Sequence, residues 1–491
     1  MESGLSRDTQ LDARMRGKRI LFIGVNDDSK DFILDMIVRL GFEVYAVGTR
    51  PQYQMVNKVQ KYVEYDSNDK SKEAHHSEVI VKRVNEEIGD VDGCICLWDP
   101  EIPLAALVTA RLGKPGISYT GALAAMSKAQ TMEALTSSDL GNGRRNSNNV
   151  GVVKYASRCF TIESAADVKK CVEKIGLPAI LKTEFGAGGM GVKLVHSLQE
   201  AVDHFNHIQV LHDEHKDRSY ILGATYKRSC VLMEYVEGSE HCVDLALFHG
   251  EVVCAFVCDK GPQIPPDVFR TVITMPSLLP KDKLKSVITA AIDCCKALGF
   301  DHGVFDVEIM LTKSGPKLIE INPRVGGFCL RDFILQCYNV DLVHLACLIA
   351  CDINPHVSVP EGGEKSAGVP SQLPFRHAEI VISESDVKPG PSCSMVGMYI
   401  YAWRHRKALK TTATPEILER LHDNGDLFFI RHEFQMREYD HEIPFCTVAV
   451  KAESFGKARD KMIDICQRIG LETDDVSLEE LLDYFMCGHL V

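Results

Sequence analysis

Residues 303–324 read GVFDVEIMLTKSGPKLIEINPR. Two alternating runs flank Thr312 to Pro316, a Gly-containing turn, so the segment reads as a β-hairpin. With Ser314 at the turn centre, Glu308 faces Glu320 and Asp306 faces Asn322, on one face with Met310 and Leu318. Phe305, Val307, Ile309 and Leu311 take the other face with Ile319 and Ile321. One face is core and the other is acidic. Like charges opposed across a sheet destabilise it, and carboxylates beside an apolar face must take up protons or find a cation. A hard divalent cation meets that need, because Mg²⁺ accepts carboxylate and amide oxygens and bridges to nucleotide phosphates. Asn322 extends the oxygen set, and Arg324 follows within reach of a transferring phosphoryl or acyl-phosphate group. The plainer alternative is a solvated hairpin with Arg324 in a surface salt bridge. The apolar opposite face and the N-P-R-x-G-G continuation argue against it.

Upstream, residues 181–195 read LKTEFGAGGMGVKLV, in which Gly186, Gly188 and Gly191 fit G-x-G-x-x-G. A dinucleotide turn needs strand, glycines, then helix, because the pyrophosphate sits on the helix N-terminus. Here PAILKTEF and VKLVHS both read as strands, so the glycines form the tip of a hairpin whose amides can lie over phosphates. Taken alone, the same glycines fit an ordinary flexible hairpin equally well.

Further toward the N-terminus, KRILFIGV (18–25), EVYAVGT and DGCICLW (92–98) read as strands alternating with the helical patterns SKDFILDMIVRLGF and PLAALVTARLG. That alternation predicts a parallel α/β domain. GVNDDSKD after the first strand lacks a glycine fingerprint, so no nucleotide is expected there. LAAMSKAQTMEALT (123–136) reads as a helix, LGNGRRNSNN (140–149) as a surface loop, and SAADVKKCVEKIG as a helix capped by Ser164. Glycine hairpin and metal hairpin then follow. The fold class reads as α/β plus α+β.

The chain has 491 residues, enough for about three domains. Its formal net charge of −13 argues against a nucleic-acid or anionic-membrane partner. No apolar run approaches the ~20 residues of a membrane span, and the start resembles neither a signal nor a transit peptide. Eighteen cysteines without zinc-type spacing suggest buried thiols in a reducing compartment, hence the cytoplasm.

Lys128 in MSKAQTMEAL, Lys182 in PAILKTEFGAGGMGV, Glu234 in VLMEYVEGSEH, VFDVEIM and LIEINPRVGG stand in an order and spacing that resembles the ATP-grasp carboxylate–amine ligases. The resemblance covers about residues 18 to 470, including EIPFCTVAVKAESFGKARDKMIDIC, similar to that family's terminal β-α unit. It implies an ATP-grasp fold with a Rossmann-like preATP-grasp domain at residues 17–120, and ATP with Mg²⁺ or Mn²⁺, two ions, as cofactors. It implies as well a division into 1–16 polar tail, 17–120 α/β domain, 121–225 connecting helix and lid, 226–355 body, and 356–491 C-terminal α+β portion. It further implies that Lys128 and Lys182 contact ATP, that Gly186, Gly188, Gly189 and Gly191 close over its phosphates, and that Glu234, Tyr235 and Val236 form the adenine hinge. Glu240 would hold the ribose; Glu308, Glu320 and Asn322 the metals; Arg324, with Lys182, would be catalytic and stabilise an acyl phosphate. VGGFCLRDFILQCYNVDLVHLACLIACDINP and EGSEHCVDLALFHGEVV look like the animal members that join β-alanine or γ-aminobutyrate to L-histidine. Two departures stand out: the vertebrate members have a long additional N-terminal half, and 140–149 replaces the family's G-x-P-x-P lead.

The implied partners are a small carboxylate and an amine; a homo-oligomer is left open. Rival readings are another carboxylate–amine pair, a carboxylase-type enzyme and a catalytically silent ATP-binding scaffold. No G-x-S-x-G elbow or Cys/His nucleophile pattern is present. His241, next to Glu240, and His302, before the acidic hairpin, could approach a substrate, but a structural or solvent-facing role is the commoner one for such histidines. Arg331 in LRDFIL is the candidate grip for a substrate carboxylate. The segment 261–280 reads either as a pocket wall or as a rigid proline-rich loop.

Overall fold

The computed structural model describes residues 14–25, 31–49, 57–136, 152–186, 189, 191–214, 226–262, 271–327, 329–355, 391–401, 404–432, 444–471 and 477–486. The expected loop 140–149, residues 26–30 and Gly188 lie outside them.

The first sheet comprises β1 (Arg19–Ile23), β2 (Glu43–Gly48), β3 (Lys61–Glu64) and β4 (Gly93–Ile95), in the order β3-β2-β1-β4 and parallel throughout. β1, β2 and β4 answer the expected apolar runs. β3, only four residues long and half polar, carries too short a pattern to be read from sequence.

The second sheet holds β5 (Cys159–Ile162), β6 (Ala179–Thr183), β7 (Lys193–Val195) and β8 (Cys230–Glu234), in the order β5-β8-β6-β7. β6 and β7 pair antiparallel, so the glycines do join strand to strand. The helix Ala165–Ile175 begins in a capping box, Ser164 with Asp167, as its sequence signals.

The third sheet has eight strands: β9 (Ser239–Phe248), β10 (Glu251–Lys260), β11 (Val272–Met275), β12 (Gly303–Thr312), β13 (Gly315–Asn322), β14 (Ser394–Tyr401), β15 (Phe429–His432) and β16 (Pro444–Ala452). Their order is β13-β12-β9-β10-β11-β14-β16-β15, so the C-terminal strands extend the sheet that carries the metal hairpin. β11 places part of the 261–280 segment inside this sheet. One side of the sheet packs on the helix Lys281–Ala297 through Val243, Leu245, Val307, Ile309 and Leu311. Toward one end of its other side, Ala246 and Phe256 pack with Phe333, Ile334 and the first domain.

Two expectations need correction. β12 and β13 pair Asp306 with Asn322 and Glu308 with Glu320 as read, but a bulge between Glu308 and Ile309 puts Leu318 opposite Ile309. Leu318 therefore joins the apolar core and Ile319 is the half-exposed extra residue. The cause is a two-residue turn closed by Thr312 and Gly315, one step tighter than a turn centred on Ser314. Residues 123–136 are not one helix but two, Tyr119–Met126 and Lys128–Thr136, broken where Ser127 turns extended at φ −100° and ψ 117°. Ser127 Oγ accepts from Gln130 N (3.2 Å) and caps the second helix.

Among the described residues no single helix is long and apolar enough to cross a membrane. Only Leu330–Tyr338 and Leu342–Ala350 taken together would be, and they bend by 98° with their apolar side chains buried in the core.

Candidate active site

Along β9, β10, β12 and β13, alternate side chains leave the apolar face and converge. Glu308 and Glu320 stand opposite one another, and Asp306 is in register with Asn322 on one side and Asp244 on the other. Asp244 and Asp306 are buried, at 1% and 4% exposure, and each keeps one oxygen without a hydrogen-bond partner among the described residues. Asn322 Nδ2 lies 3.4 Å from both Asp306 Oδ2 and Glu320 Oε1. Four acids in one patch require positive charge nearby.

That charge comes from four directions. Lys260, at the end of β10, spans two carboxylates, with Nζ 2.7 Å from Glu308 Oε1 and 2.7 Å from Glu240 Oε1. Lys128, first residue of its helix because Ser127 breaks the chain, places Nζ 2.7 Å from Gly186 O and 3.5 Å from Glu320 Oε2. Arg324 grips Asp99 through two bonds (2.6 and 3.1 Å) and reaches Asp306 Oδ2 at 3.5 Å. Lys182 on β6 is buried and makes no hydrogen bond or ion pair among the described residues. An unpaired buried ammonium is costly, so Lys182 calls for an anion.

Titration follows from this arrangement. Burial pushes Glu308 up to about 7; Lys260 opposes that rise while Glu320 and Glu240 add to it. Burial acts on Glu320 in the same direction, yet the Lys128 and Lys182 charges hold it below the usual carboxylate value. Asp306 is raised by burial against the pull of Arg324 and Lys260. Burial and then the Lys128 charge lower Lys182.

The glycine hairpin is tied to this patch from beneath. Buried Glu184 accepts from Ser127 Oγ (2.5 Å) and Ser229 Oγ (2.6 Å), fastening the β6 end to the Lys128 helix and to β8. Gly189 and Gly191 take left-handed φ of 78° and 73°, which a side chain would strain. His204 Nε2 donates to Gly191 O (2.9 Å), holding the hairpin's far end. Glu234 closes β8 and accepts from Arg158 Nε (2.9 Å); exposed Tyr235 and half-buried Val236 form the link to β9.

Glu308, Glu320, Asn322, Arg324, Lys128, Lys182 and, through Lys260, Glu240 are thus brought together. Arg331 is not. It is 5% exposed, its guanidinium held by Asp341 (Nε to Oδ1, 3.0 Å, with a second bond to Oδ2) and by Asp332 (3.1 Å). Its place in the core gives no support to a substrate-gripping role. His241 is likewise internal, with Nε2 2.7 Å from Ser239 Oγ and Nδ1 2.7 Å from Asp259.

Sequence reasoning missed Lys260, Asp244, Asp99 and Glu184. Asp99 directly follows the apolar run DGCICLW, beyond the carboxyl end of β4, where ligand-facing residues of a parallel sheet are expected, so it had a signal. Asp244 had one in part: Gly326 N donates to its Oδ1 (3.2 Å), and a Cβ at Gly326 would lie 2.4 Å from that oxygen. Gly326, the first of the glycine pair that follows Arg324, is therefore required by close approach to a buried acid, whereas a Cβ at Gly327 would meet nothing within 4 Å. Lys260 ends β10 with no motif around it, and Glu184 lies one residue beyond β6.

The residues fit a divalent cation. Glu308, Glu320 and Asn322 offer oxygens, and the orphaned oxygens of Asp244 and Asp306 show the patch to be short of positive partners. Among the described residues no three His, Cys, Asp or Glu side chains form a ready-made cage, so further oxygens would come from a ligand.

Residues 175–332 match the family model of the ATP-grasp domain. Carnosine synthase 1 of Homo sapiens is 32% identical over 471 residues, which is 96% of this chain and 53% of that enzyme. The chain thus spans about half the length of the curated relatives of this kind that it matches. Alanine--anticapsin ligase of Bacillus subtilis is 25% identical over 228 residues, 44% of this chain and 47% of that one. The crystal structure of L-amino acid ligase from Bacillus licheniformis superposes with a TM-score of 0.64 at 16% identity, covering 92% of this chain and 98% of that one.

Proposed function

From a chain that has the ATP-grasp fold and is similar to carnosine synthase over nearly all its length, we propose an ADP-forming ligase that joins a carboxylate to an amine. The observation that carries this reading is the opposed Glu308–Glu320 pair ringed by Lys128, Lys182, Lys260 and Arg324. Such a patch suits a triphosphate and its cation.

Joining acid to amine in water is uphill, so the carboxylate attacks the γ-phosphate to give an acyl phosphate and ADP. The amine then attacks the acyl carbon and releases phosphate. Glu308, Glu320 and Asn322 hold Mg²⁺ or Mn²⁺, two ions in our reading, whose chemistry is to neutralise and orient the phosphates. Lys182, buried and without a hydrogen bond or ion pair among the described residues, takes phosphate charge. Lys128 fixes the Gly186 backbone so that the hairpin, with Gly188, Gly189 and Gly191, closes over the phosphates and excludes water from the acyl phosphate. Glu234, Tyr235 and Val236 border adenine and Glu240 meets the ribose. Arg324, already oriented by Asp99, stabilises the charge on the transferring group.

The domain roles follow: α/β domain 17–120, lid 121–225 with β8 joining its sheet, body 226–355 and C-terminal portion 356–491. The similarity to carnosine synthase favours β-alanine or γ-aminobutyrate as acid and L-histidine as amine. Many free buried cysteines favour a reducing cytoplasm. The test is ADP and phosphate release with Mg·ATP across a matrix of acids and amines, with mass spectrometry of products. Stoichiometric ADP and β-alanyl-histidine support the full reading. A different productive pair keeps the chemistry and replaces the substrates. ATP binding without release for any pair rejects the ligase, and bicarbonate-dependent release indicates a carboxylase.

A further inference from the structure

Lys260 belongs to none of the motifs that mark this site, yet it is the cation most tightly engaged with them. Its Nζ sits 2.7 Å from Glu308 Oε1 on β12 and 2.7 Å from Glu240 Oε1 on β9, with its side chain 16% exposed. The position is well fixed. Its neighbour Asp259 accepts from Ser277 Oγ (2.6 Å) and Leu278 N (2.6 Å) and holds His241, which pins the end of β10 to β9. An ammonium on Oε1 of Glu308 neutralises its charge and repels a divalent cation brought to the same carboxylate.

We propose that Lys260 is an internal counter-ion that competes with the divalent cation for Glu308, so that free metal is held weakly until a nucleotide adds its phosphate charge. This rests on the metal role given to Glu308 above. Without nucleotide, Lys260 keeps Glu308 and Glu240 compensated. When a cation takes Glu308, Lys260 retains Glu240 as its partner. The residue therefore links the carboxylate assigned to the ribose with the one assigned to the metal and favours nucleotide-first loading.

The test is the affinity for Mn²⁺ alone, read as free Mn²⁺ by electron paramagnetic resonance in nucleotide-free protein, beside ADP binding read by calorimetry. K260M should bind Mn²⁺ about tenfold more tightly than the unmodified protein. K260R, which keeps the charge, should not. In an E308Q background the K260M gain should vanish, an outcome that general loss of positive charge would not give. Should K260M fail to fold, K260Q serves in the same titration. Equal Mn²⁺ affinity in K260M and the unmodified protein, with ADP binding intact, overturns the counter-ion role and leaves the proposed function standing. No Mn²⁺ uptake by any variant, with or without ADP, overturns both.

Discussion

Replacing Arg331 with methionine separates two roles that its sequence context cannot. Its guanidinium is 5% exposed and bonded to both oxygens of Asp341, which also caps the helix Leu342–Ala350 by accepting from Val343 N (2.9 Å). Burial would raise Asp341, yet the Arg331 charge and hydrogen bonds hold it below the usual carboxylate value. Arg331→Met removes the cation and leaves a buried charge, a loss worth about 3–5 kcal/mol. Adding Asp341→Asn keeps a capping oxygen without the charge and should recover about half of that. Urea denaturation followed by circular dichroism reads both variants. At low temperature, where R331M stays folded, its KM for each amino acid should be unchanged. A normal urea midpoint with a large rise in KM for one amino acid would refute this reasoning and return Arg331 to the substrate.

Glu320→Ala should abolish ADP-forming turnover while far-UV circular dichroism stays native, since Lys128 and Lys182 remain to compensate the patch; a folded, active E320A would remove Glu320 from the metal set. Glu308 supplies a pH dependence. Its value rises on folding from about 4.5 to about 7, so the native state holds the extra proton. The stabilisation is full below pH 4.5 and declines as pH climbs to 7, by up to roughly 3 kcal/mol. Nucleotide-free E308Q should show a flatter urea midpoint between pH 5 and 7.5, and an unchanged slope would contradict the burial argument.

Much of the fold was legible because its elements carry strong local patterns. Apolar strands β1, β2 and β4, the capping box at Ser164 and the two hairpins each have a period or turn chemistry that acts within a few residues. The polar patch was legible where its side chains alternate on one hairpin, as those of Asp306, Glu308, Glu320 and Asn322 do. Where register depends on one residue in a turn, alternation fails, and Leu318 moved to the core through the bulge. Ser127 was hidden for a different reason: helix propensity runs straight through 123–136, and the break answers to Glu184, 57 residues away. Lys260, Asp244 and Asp99 reach the site only through strand pairing and domain packing. Arg331 shows the converse, a charged residue in a promising stretch whose partners, Asp332 and Asp341, lie close by in the same chain segment and keep it internal.

The acyl-phosphate chemistry is tested most directly by isotope transfer. With Mg·ATP, L-histidine and β-alanine labelled with ¹⁸O in its carboxylate, one labelled oxygen per turnover should appear in inorganic phosphate, with ADP formed in equal amount. Label passing instead into AMP, or phosphate released without label, would contradict the account.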